Sequence, residues 1–476
     1  MAADLYVPRG LLVDGEWIAS GKASTLCSPY DGAAIAEVPQ GDAALIDRAV
    51  AAARRALRAD RFDRDARIRV LDAAAGQLRA RHEEFARTIA VECAKPIQTA
   101  RVEAARTIDT FAFAAAEARS YTGDMVPIDA VASGKGKIAY TMRVPVGVVA
   151  AIAPFNFPLN LVAHKVAPAI AVGCPVVLKP ATQTPLSSLL LAEMLTDVGL
   201  PPGWLNVITG GGAEVGGALV VHPDVNYITF TGSPEVGWGI AARAPKKKVR
   251  LELGSNAPLI VDNDSDWETA AAKAAAAGFI QAGQSCVSTQ RIFVHSHVAA
   301  GFREALVAGV SRLKVGEPLG EDVDVSAVIS NKDALRIESW VNEAVTGGAR
   351  TDIGGERDDN VVMPTVLSNV TPSMRVQTDE IFGPVVTVTE FEDFDAALEA
   401  ANDSRFGLNA GVYTSNIAKA LKATRRLEFG SVYINDVPTV RADQQPYGGV
   451  KDSGNTREGP RYAMSEMTEP RLVTLQ

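Results

Sequence analysis

The sequence predicts an α/β protein made of two doubly wound parallel-sheet domains and a small β arm. Apolar residues three and four positions apart mark residues 43–120 as a series of amphipathic helices. Short apolar runs then alternate with helical segments up to Gly254, and a second alternation follows. Strands that alternate with helices form parallel sheets. The 476 residues also exceed the size of one hydrophobic core, which favours two or three domains.

The first half of the chain is predicted to supply covering helices and then the strands of one sheet. Pro96 ends one of the helices, and a helix is predicted at residues 185–198. The predicted strands read KIAYTMRVPVGVVAAIAP, PVVLKP, LNVITG, NYITFTG and VRLELG. Each is short and rich in β-branched residues, as strands buried in a parallel sheet are.

The second half repeats this pattern. Helices are predicted at residues 267–280 and 299–313. The predicted strands read APLIV, QRIFV, GPVVTVTEF, NAGVYT and SVYIN. No internal repeat joins the halves, so they are predicted to be separate α/β domains.

Composition narrows the range of functions. The net charge is −9 and the chain has no long basic run, which argues against a nucleic-acid partner. The start, MAADLYVPRG, has no apolar signal core, and prolines interrupt the longest apolar stretch, residues 144–178, so we expect no membrane span. The four cysteines are too scattered for a disulfide framework or a zinc site, so a reducing cytoplasmic location and no metal are expected: Cys27, Cys93, Cys174 and Cys286.

Cys286 has an unusual setting for a core cysteine. In AGQSCVSTQRIFV it stands among small and polar residues, between an alanine-rich helix and an apolar strand. Cys174, in AIAVGCPVVLK, has the apolar neighbours that are typical of a buried thiol. The Cys286 thiol is therefore predicted to be presented to a ligand.

Two features indicate an anion site. In YITFTGSPEVG a strand runs into a turn at Gly232, and Ser233 begins a helix whose first N–H groups favour a phosphate. The motif is not the GxGxxG fingerprint, so a purely structural turn stays an alternative. Lys179 ends the strand VVLK, at the edge where doubly wound sheets bind ligands, although a surface lysine would look the same.

Two further residues suit acyl chemistry. Glu252 stands inside an apolar strand, where a carboxylate needs a partner or a raised pKa; it is either a general base or a paired structural carboxylate. Asn156 lies in the loop PFNFPL, where its amide can donate to an oxyanion or simply cap a turn. A thiol, a base, an amide donor and a phosphate-binding turn together predict covalent catalysis with a nucleotide cofactor.

Seven segments in order resemble the NAD(P)-dependent aldehyde dehydrogenase superfamily: PFNFPL, LKPATQTP, FTGSPEVG, LELGSNAP, GQSCVSTQRIFV, EIFGPV and PYGGVKDSGNTREG. The resemblance implies that Cys286 is the nucleophile and that Glu252 activates the deacylating water. It also implies that Asn156 and the Cys286 backbone N–H form the oxyanion hole. The product is then a carboxylic acid, made through a thiohemiacetal and a thioester.

The same resemblance implies a cofactor site and a division into domains. Lys179 would contact the cofactor ribose, Gly232 and Ser233 the pyrophosphate, and Glu380 and Phe382 the nicotinamide ribose. Residues 1–123 and 144–253 would form the NAD(P)-binding domain and residues 254–445 the catalytic domain. Residues 124–143 and 463–476 would form an arm that pairs subunits into a homodimer or homotetramer.

Two departures from the family pattern bear on the cofactor and the site. Thr182 stands where many NAD-preferring relatives carry a glutamate that repels a 2′-phosphate, so NAD or NADP is expected, with NADP tolerated. Ser255 and Asn256 replace the usual Gly-Lys after LELG, beside the Glu252 strand.

The substrate prediction rests on four residues: Phe157, His164, Arg441 and Tyr447. Arg441 lies in a stretch that resembles the loop at the mouth of the substrate tunnel, and a guanidinium suits a carboxylate or phosphate. A small polar or anionic aldehyde, such as a hydroxyaldehyde or semialdehyde, is therefore predicted. The alternative for Arg441 is a surface arginine paired with Asp436 or Asp443.

Other functions stay open at this point. Neutral aliphatic or aromatic aldehydes are an alternative substrate class. A CoA-acylating relative is another, although Glu252 argues against it. A thiol hydrolase would leave the cofactor turn unexplained, and a binding protein without turnover would not need Cys286, Glu252 and Asn156 together.

Overall fold

The computed structural model describes residues 6–59 and 61–476. The first five residues, which belong to the N-terminal segment and to the predicted cofactor domain, lie outside the described residues. Over those ranges the strands form two seven-stranded sheets, one three-stranded sheet and three two-stranded ribbons. No helix in the described part of the chain is long and apolar enough to cross a bilayer.

The elements of the first half, in chain order, are β1 (Leu11–Val13), β2 (Glu16–Ile18), β3 (Ala23–Cys27), β4 (Ala34–Pro39), α1 (Ala43–Ala59), α2 (Arg64–Ala80), α3 (His82–Cys93), α4 (Ile97–Ser120), β5 (Met125–Val126), β6 (Ile138–Pro145), β7 (Val149–Ile152), α5 (Asn160–Val172), β8 (Val176–Lys179), α6 (Leu186–Asp197), β9 (Leu205–Val207), α7 (Gly217–Val221), β10 (Tyr227–Thr231), α8 (Pro234–Arg243) and β11 (Lys248–Glu252).

The elements of the second half are β12 (Pro258–Val261), α9 (Trp267–Ala277), β13 (Arg291–His295), α10 (Ser296–Val310), α11 (Asn331–Thr346), β14 (Arg350–Ile353), β15 (Arg357–Asp358), β16 (Val361–Val362), β17 (Thr365–Ser368), α12 (Arg375–Thr378), β18 (Val385–Phe391), α13 (Phe394–Asn402), β19 (Phe406–Gly407), β20 (Asn409–Tyr413), α14 (Ile417–Arg426), β21 (Ser431–Ile434), β22 (Val450–Lys451), α15 (Pro460–Glu466) and β23 (Thr468–Leu475).

The first sheet has the strand order β11-β10-β7-β8-β9-β1-β2. The five consecutive strands from β11 to β9 are parallel, while β1 pairs antiparallel with both β9 and β2. The chain runs outward from β7 in one direction through β8 and β9, and then continues on the other side with β10 and β11. Such a reversal opens a crevice at the carboxyl ends of the strands, where ligands bind in doubly wound folds.

Both faces of the first sheet are covered. Side chains of α2 to α6 pack in one apolar cluster, and those of α1, α7 and α8 pack in another. The strands between them are fully buried, which is why VVLK and YITFT read as continuous apolar runs with few polar interruptions.

The second sheet has the order β14-β17-β18-β13-β12-β20-β21 and is parallel except at the edge strand β14. The third sheet is antiparallel, with β6 between β23 and β5. The predicted fold class of two doubly wound sheets and a β arm is therefore confirmed.

The element boundaries required some correction. The helix predicted at 267–280 ends at Ala277, because Gly278 terminates it, and the helix predicted at 299–313 begins at Ser296, where the His295 side chain accepts the His297 N–H. Strands β1 to β4 were not predicted. They are three to six residues long, too short for alternation to be visible in the sequence.

Candidate active site

A cleft of about 1060 Å³ opens at the carboxyl ends of β7, β8, β10 and β11. Its walls bring together all the predicted catalytic and cofactor residues: Asn156, Lys179, Thr182, Gly232, Ser233, Glu252, Cys286, Glu380 and Phe382. The predicted substrate residues do not belong to its lining: Phe157, His164, Arg441 and Tyr447.

The turn between β10 and α8 has the geometry of an anion site. Gly232 follows the strand, Ser233 is the N-cap of α8 with its hydroxyl accepting the Val236 N–H at 3.4 Å, and Pro234 occupies the first helical position. The first turn of α8 lines the cleft, so the positive end of the helix dipole lies at its wall. This arrangement suits a phosphate group.

Lys179 is buried in the same half of the cleft. Its Nζ donates to the Pro180 carbonyl at 2.9 Å, and burial lowers its pKa to about 8. It forms no ion pair within the described residues. Thr182, three residues further, donates to the Gly210 carbonyl at 3.1 Å and brings no negative charge. A cation without a counter-charge in this position fits an anionic or hydroxylated part of a nucleotide.

Glu380 and Phe382 lie on the opposite wall. The Glu380 carboxylate accepts the Ser255 N–H at 2.9 Å, and burial raises its pKa to about 7 against that hydrogen bond. The ring of Phe382 meets the ring of Phe155 edge to face at 5.8 Å. A phosphate turn, a lysine and a carboxylate spaced along one cleft fit a dinucleotide. In the described ranges no cluster of three His, Cys, Asp or Glu side chains fits a metal.

Cys286 lies in the cleft but is only partly exposed. Its Sγ is 3.0 Å from the Tyr447 hydroxyl. Burial raises the pKa of the thiol to about 12, which outweighs the opposing effect of the Tyr447 hydrogen bond. The sulfur is therefore protonated at neutral pH unless a cation or a base approaches it.

Asn156 follows β7 in the loop that faces Cys286. Its Nδ2 donates one hydrogen to the Gln284 carbonyl at 2.9 Å, and its Oδ1 accepts the Phe157 N–H at 3.2 Å. Gln284 precedes the nucleophile by two residues, so this bond ties the amide to the thiol segment. The second Nδ2 hydrogen is left for another acceptor.

Glu252 ends β11 as a buried carboxylate without a hydrogen-bond donor. Neither of its oxygens has a partner among the residues that the structure describes. Burial and the nearby Glu458 carboxylate raise its pKa well above the usual range. A side chain at Gly448 would place its Cβ 2.7 Å from Oε1, so the glycine keeps space beside this carboxylate.

Sequence reasoning missed Glu458 and Lys165, which lie beneath Glu252. Lys165 Nζ is 3.2 Å from Glu458 Oε1 and also donates to Thr231 at 2.6 Å. Burial opposes the Glu458 charge, but Lys165 and Arg441 outweigh it and lower the Glu458 pKa to about 2. A lysine inside the wholly buried helix NLVAHKVAPAIAV was the signal that could have revealed this pair.

Arg441 is buried, and the alternative of a surface arginine paired with Asp436 or Asp443 is wrong. Its Nη2 lies 2.9 Å from Glu458 Oε2, and its guanidinium carbon lies 3.7 Å from the centre of the Tyr447 ring. The two aspartates have other cationic partners, Lys273 and Arg106. Arg441 thus stacks on the tyrosine whose hydroxyl touches Cys286.

His164 is fully buried beside this group. Its Nε2 is 3.0 Å from Asp443 Oδ1, and Nδ1 has no partner within the described chain. Burial and Arg441 lower its pKa. Asp443 also accepts two hydrogen bonds from Arg106 of α4, which sequence reasoning missed.

Phe157 does not line the cleft. Its ring lies 3.9 Å below the ammonium of Lys95, which is buried and paired with Glu103. Glu103 in turn accepts the N–H groups of Leu159 and Asn160, at the start of α5. These contacts fix the loop that carries Asn156.

The fold and the site define a nucleotide-dependent enzyme with a thiol in its cofactor cleft. The chain belongs to the aldehyde dehydrogenase family, whose model matches residues 17–473, and it is an NAD(P)-dependent oxidoreductase acting on aldehydes.

Three similar proteins illustrate the range of this family. The 3-sulfolactaldehyde dehydrogenase of Priestia aryabhattai is 44% identical over 466 residues, 98% of either chain. The crystal structure of aldehyde dehydrogenase 21 from Physcomitrella patens, in complex with the reaction product succinate, is 40% identical with a TM-score of 0.96 and covers 99% of this chain and 98% of that one. The NADP-dependent glyceraldehyde-3-phosphate dehydrogenase of Bacillus halodurans, complexed with NADP, is 36% identical with a TM-score of 0.96, covering 98% of this chain and 99% of that one.

Proposed function

We propose that this aldehyde dehydrogenase oxidises a small anionic or hydroxylated aldehyde to its carboxylic acid, with Cys286 as nucleophile. The observation that carries the proposal is the meeting of Cys286, Asn156 and the unpartnered Glu252 in the cleft that holds the cofactor residues. A thiol, an amide donor and a base in one water-accessible site are the groups that covalent acyl chemistry needs.

The covalent step begins at Sγ of Cys286, which releases its proton to solvent in the cleft and adds to the aldehyde carbon as the carbonyl π bond breaks. The carbonyl oxygen becomes an oxyanion, which accepts hydrogen bonds from the free Nδ2 hydrogen of Asn156 and from the Cys286 backbone N–H. The chemistry that the bound nicotinamide supplies is acceptance of a hydride. The acyl group stays on Sγ as a thioester.

Deacylation is assigned to Glu252. Its carboxylate removes a proton from a water molecule, whose oxygen adds to the thioester carbon, and the sulfur leaves as the acid is released. A raised pKa makes the carboxylate a better base once it is ionised, and the absence of a protein donor leaves its oxygens free for water. This assignment disfavours a CoA-acylating enzyme, in which the acyl acceptor is a thiol.

The substrate class follows from the cations around Tyr447. Arg441 Nε and His164 Nδ1 are both buried and unpartnered in the described chain, although each residue is fixed through its other nitrogens. Arg106 adds a second cation on the Asp443 side, while burial and Arg441 lower the pKa of His164. The Arg441 guanidinium, stacked on the tyrosine whose hydroxyl touches Cys286, suits a carboxylate, sulfonate or phosphate on a short aldehyde.

The similar proteins support this class. The names of the three refer to a sulfolactaldehyde, a succinate product and a glyceraldehyde phosphate, and each of these molecules, on a chain of three or four carbons, carries an anionic group other than the aldehyde or the carboxylate formed from it. We propose the same chemistry for this chain, with Tyr447 and Phe157 as residues that shape the path to the thiol.

The cofactor is proposed to be NADP at least as readily as NAD. Lys179, Gly232 and Ser233 hold its phosphates and ribose, and Glu380 and Phe382 hold the nicotinamide half. With Thr182 in place of a carboxylate, no negative charge opposes a 2′-phosphate beside Lys179.

Domain boundaries, assembly and location complete the proposal. We place the cofactor domain at residues 1–123 and 144–253 and the catalytic domain at 254–445. Residues 124–143 and 463–476, which carry β5, β6 and β23, are proposed to pair subunits into a homodimer or homotetramer. Apolar side chains exposed on β6 and β23, such as Ile138 and Leu472, support this role.

Action in the cytoplasm is proposed because the four cysteines, all within the described residues, are free thiols.

The substrate proposal is tested by reduced-cofactor absorbance with a matched panel of anionic and neutral aldehydes of three to six carbons, with and without CoA. Anionic substrates should have the higher kcat/KM, and CoA should change nothing. Arg441→Leu should lower kcat/KM about tenfold or more for anionic aldehydes, and less for neutral ones, because the charge pairing is lost. Arg350→Leu, on the exposed strand β14, is the control. A preference for benzaldehyde or hexanal would overturn the substrate class but not the dehydrogenase.

The cofactor proposal is tested with Thr182→Glu. The wild type should have a kcat/KM for NADP equal to or above that for NAD. The glutamate should reduce the NADP to NAD ratio about a hundredfold, equivalent to about 2.7 kcal/mol, because a carboxylate repels the 2′-phosphate. A wild type that prefers NAD a hundredfold would show that another group excludes the phosphate.

A further inference from the structure

Residues 281–283, which precede Cys286 by three to five positions, form a left-handed turn. Gln281 has φ and ψ of 53° and 43°, Ala282 has 52° and 38°, and Gly283 has φ of 68°. Residues with a Cβ avoid this region, so two of them in succession must be held by their surroundings. A Cβ at Gly283 would lie 2.0 Å from the Gly383 carbonyl oxygen, so the turn is packed directly against the next loop.

Gln281 connects this turn to the Asn156 loop. Its side-chain Nε2 donates to the backbone carbonyl of Asn156. In return the Asn156 Nδ2 donates to the Gln284 carbonyl at 2.9 Å, and the Gln284 Nε2 donates to the Gln281 carbonyl at 3.3 Å. The three side chains are buried, and their bonds close a ring between the amide donor and the segment that carries the thiol.

We infer that Gln281 is a positioning residue for the acylation step: by holding the Asn156 carbonyl it sets where the Asn156 amide lies relative to Cys286 Sγ. The inference rests on the proposed roles of Asn156 and Cys286. Gln281 is 1% exposed and is not part of the cleft lining, so any effect on the reaction is expected to pass through Asn156. An oxyanion donor acts only within about 2.7–3.1 Å of the developing charge, so a small displacement of the loop reduces the rate.

The test compares Gln281→Met, which keeps the length of the side chain but has no N–H, with Asn156→Ala and the double variant. We expect Gln281→Met to slow the single-turnover formation of reduced cofactor about tenfold or more. NADP dissociation constants, measured by quenching of tryptophan fluorescence, should stay within twofold. Gln98→Met, an exposed glutamine of α4, is the matched control and should leave the rate unchanged.

The double variant separates positioning from a general loss of structure. If Gln281 acts through Asn156, Gln281→Met should cause no further loss once Asn156 is alanine. Gln281→Leu, which also lacks an N–H, should repeat the loss should Gln281→Met fold poorly.

Additive losses, or single-turnover rates within twofold of wild type for both Gln281 variants while Asn156→Ala falls, would overturn this inference and leave the proposed function intact. An unchanged rate for Asn156→Ala would overturn this inference together with the proposed role of Asn156, because the amide would then not be the oxyanion donor.

Discussion

Two buried glutamates, Glu92 of α3 and Glu252 of β11, both have a raised pKa but differ in their hydrogen-bond partners. Burial raises the pKa of Glu92 to about 8, and burial with Glu458 raises that of Glu252 well above the usual range. Glu92 is saturated with donors: it accepts the N–H groups of Leu186 and Ser187, at 2.7 Å and 3.0 Å, and the Ser187 hydroxyl. Glu252 accepts none within the described residues.

The difference shows that a shifted pKa does not by itself identify a catalytic carboxylate. The oxygens of Glu92 accept hydrogen bonds from the first turn of α6, where they complete the helix start, and Glu92 does not line the cleft. Glu252 has a shifted pKa, free oxygens and a cleft with a thiol in it. Unsatisfied hydrogen-bonding capacity therefore distinguishes a catalytic carboxylate from a structural one better than a shifted pKa does.

The largest expected effect comes from Cys286→Ala, which removes the proposed nucleophile from the cleft that contains Glu252. Turnover should fall at least about a thousandfold, because no covalent adduct can form, while NADP affinity stays unchanged. Steady-state reduction of the cofactor, with NADP binding as the control for folding, measures this. Residual turnover within tenfold of the wild type would remove the thiol from the mechanism.

The comparison itself is tested by Glu252→Gln and Glu92→Gln in parallel. Glu252→Gln should slow steady-state turnover about a hundredfold and leave a burst of one equivalent of reduced cofactor, because only deacylation needs the base. Glu92→Gln should turn over within about twofold of the wild type and lose stability, since an amide cannot accept all three hydrogen bonds. Rapid-mixing absorbance gives the burst. Equal effects of the two substitutions would contradict the distinction between a catalytic Glu252 and a structural Glu92. A normal steady-state rate in Glu252→Gln would indicate Glu380 as the base.

A smaller effect is expected when the neighbour of Glu252 is neutralised. Glu458→Gln removes the negative charge that raises the Glu252 pKa and leaves the cations of Lys165 and Arg441 in place. The pKa of Glu252 should fall, so the acid limb of the deacylation rate should move down by about one pH unit. A pH profile of single-turnover deacylation measures the shift. Movement to higher pH would show that the cations do not reach Glu252.

The smallest effect concerns stability. The folded pKa of Glu92 lies above the usual value for a glutamate, so the folded state binds a proton that the unfolded chain releases first. Its contribution to stability is complete below about pH 4.5 and is lost as the pH rises toward 8, with a slope of up to about 1.4 kcal/mol per pH unit. Thermal unfolding from pH 5 to 8 should therefore show a smaller decline in Glu92→Gln than in the wild type. Parallel curves would mean that Glu92 is ionised throughout.

Many of the helices and strands were predictable because the signals that define them lie within short segments of the sequence. Strands such as VVLK and YITFT carry buried apolar runs, and Ser233 with Pro234 marks the start of α8, so periodicity and capping signals suffice. Cys286 was recognisable from its small neighbours, and Glu252 from its apolar strand. Strands β1 to β4 escaped prediction because their pairing, and not their composition, makes them strands.

The sequence by itself determined the fold class, the family motifs and the identity of the groups that line the cleft, since these depend on residue type and spacing along one segment. Only the tertiary structure decided which charges meet. Glu458 lies 206 residues beyond Glu252 in the sequence, and Arg441 is paired with that glutamate and not with the nearer Asp436 or Asp443. His164 reaches Asp443 across 279 positions in the sequence. The interaction between two charges depends on their distance in space and on their burial. The spacing of residues along the chain encodes neither of these.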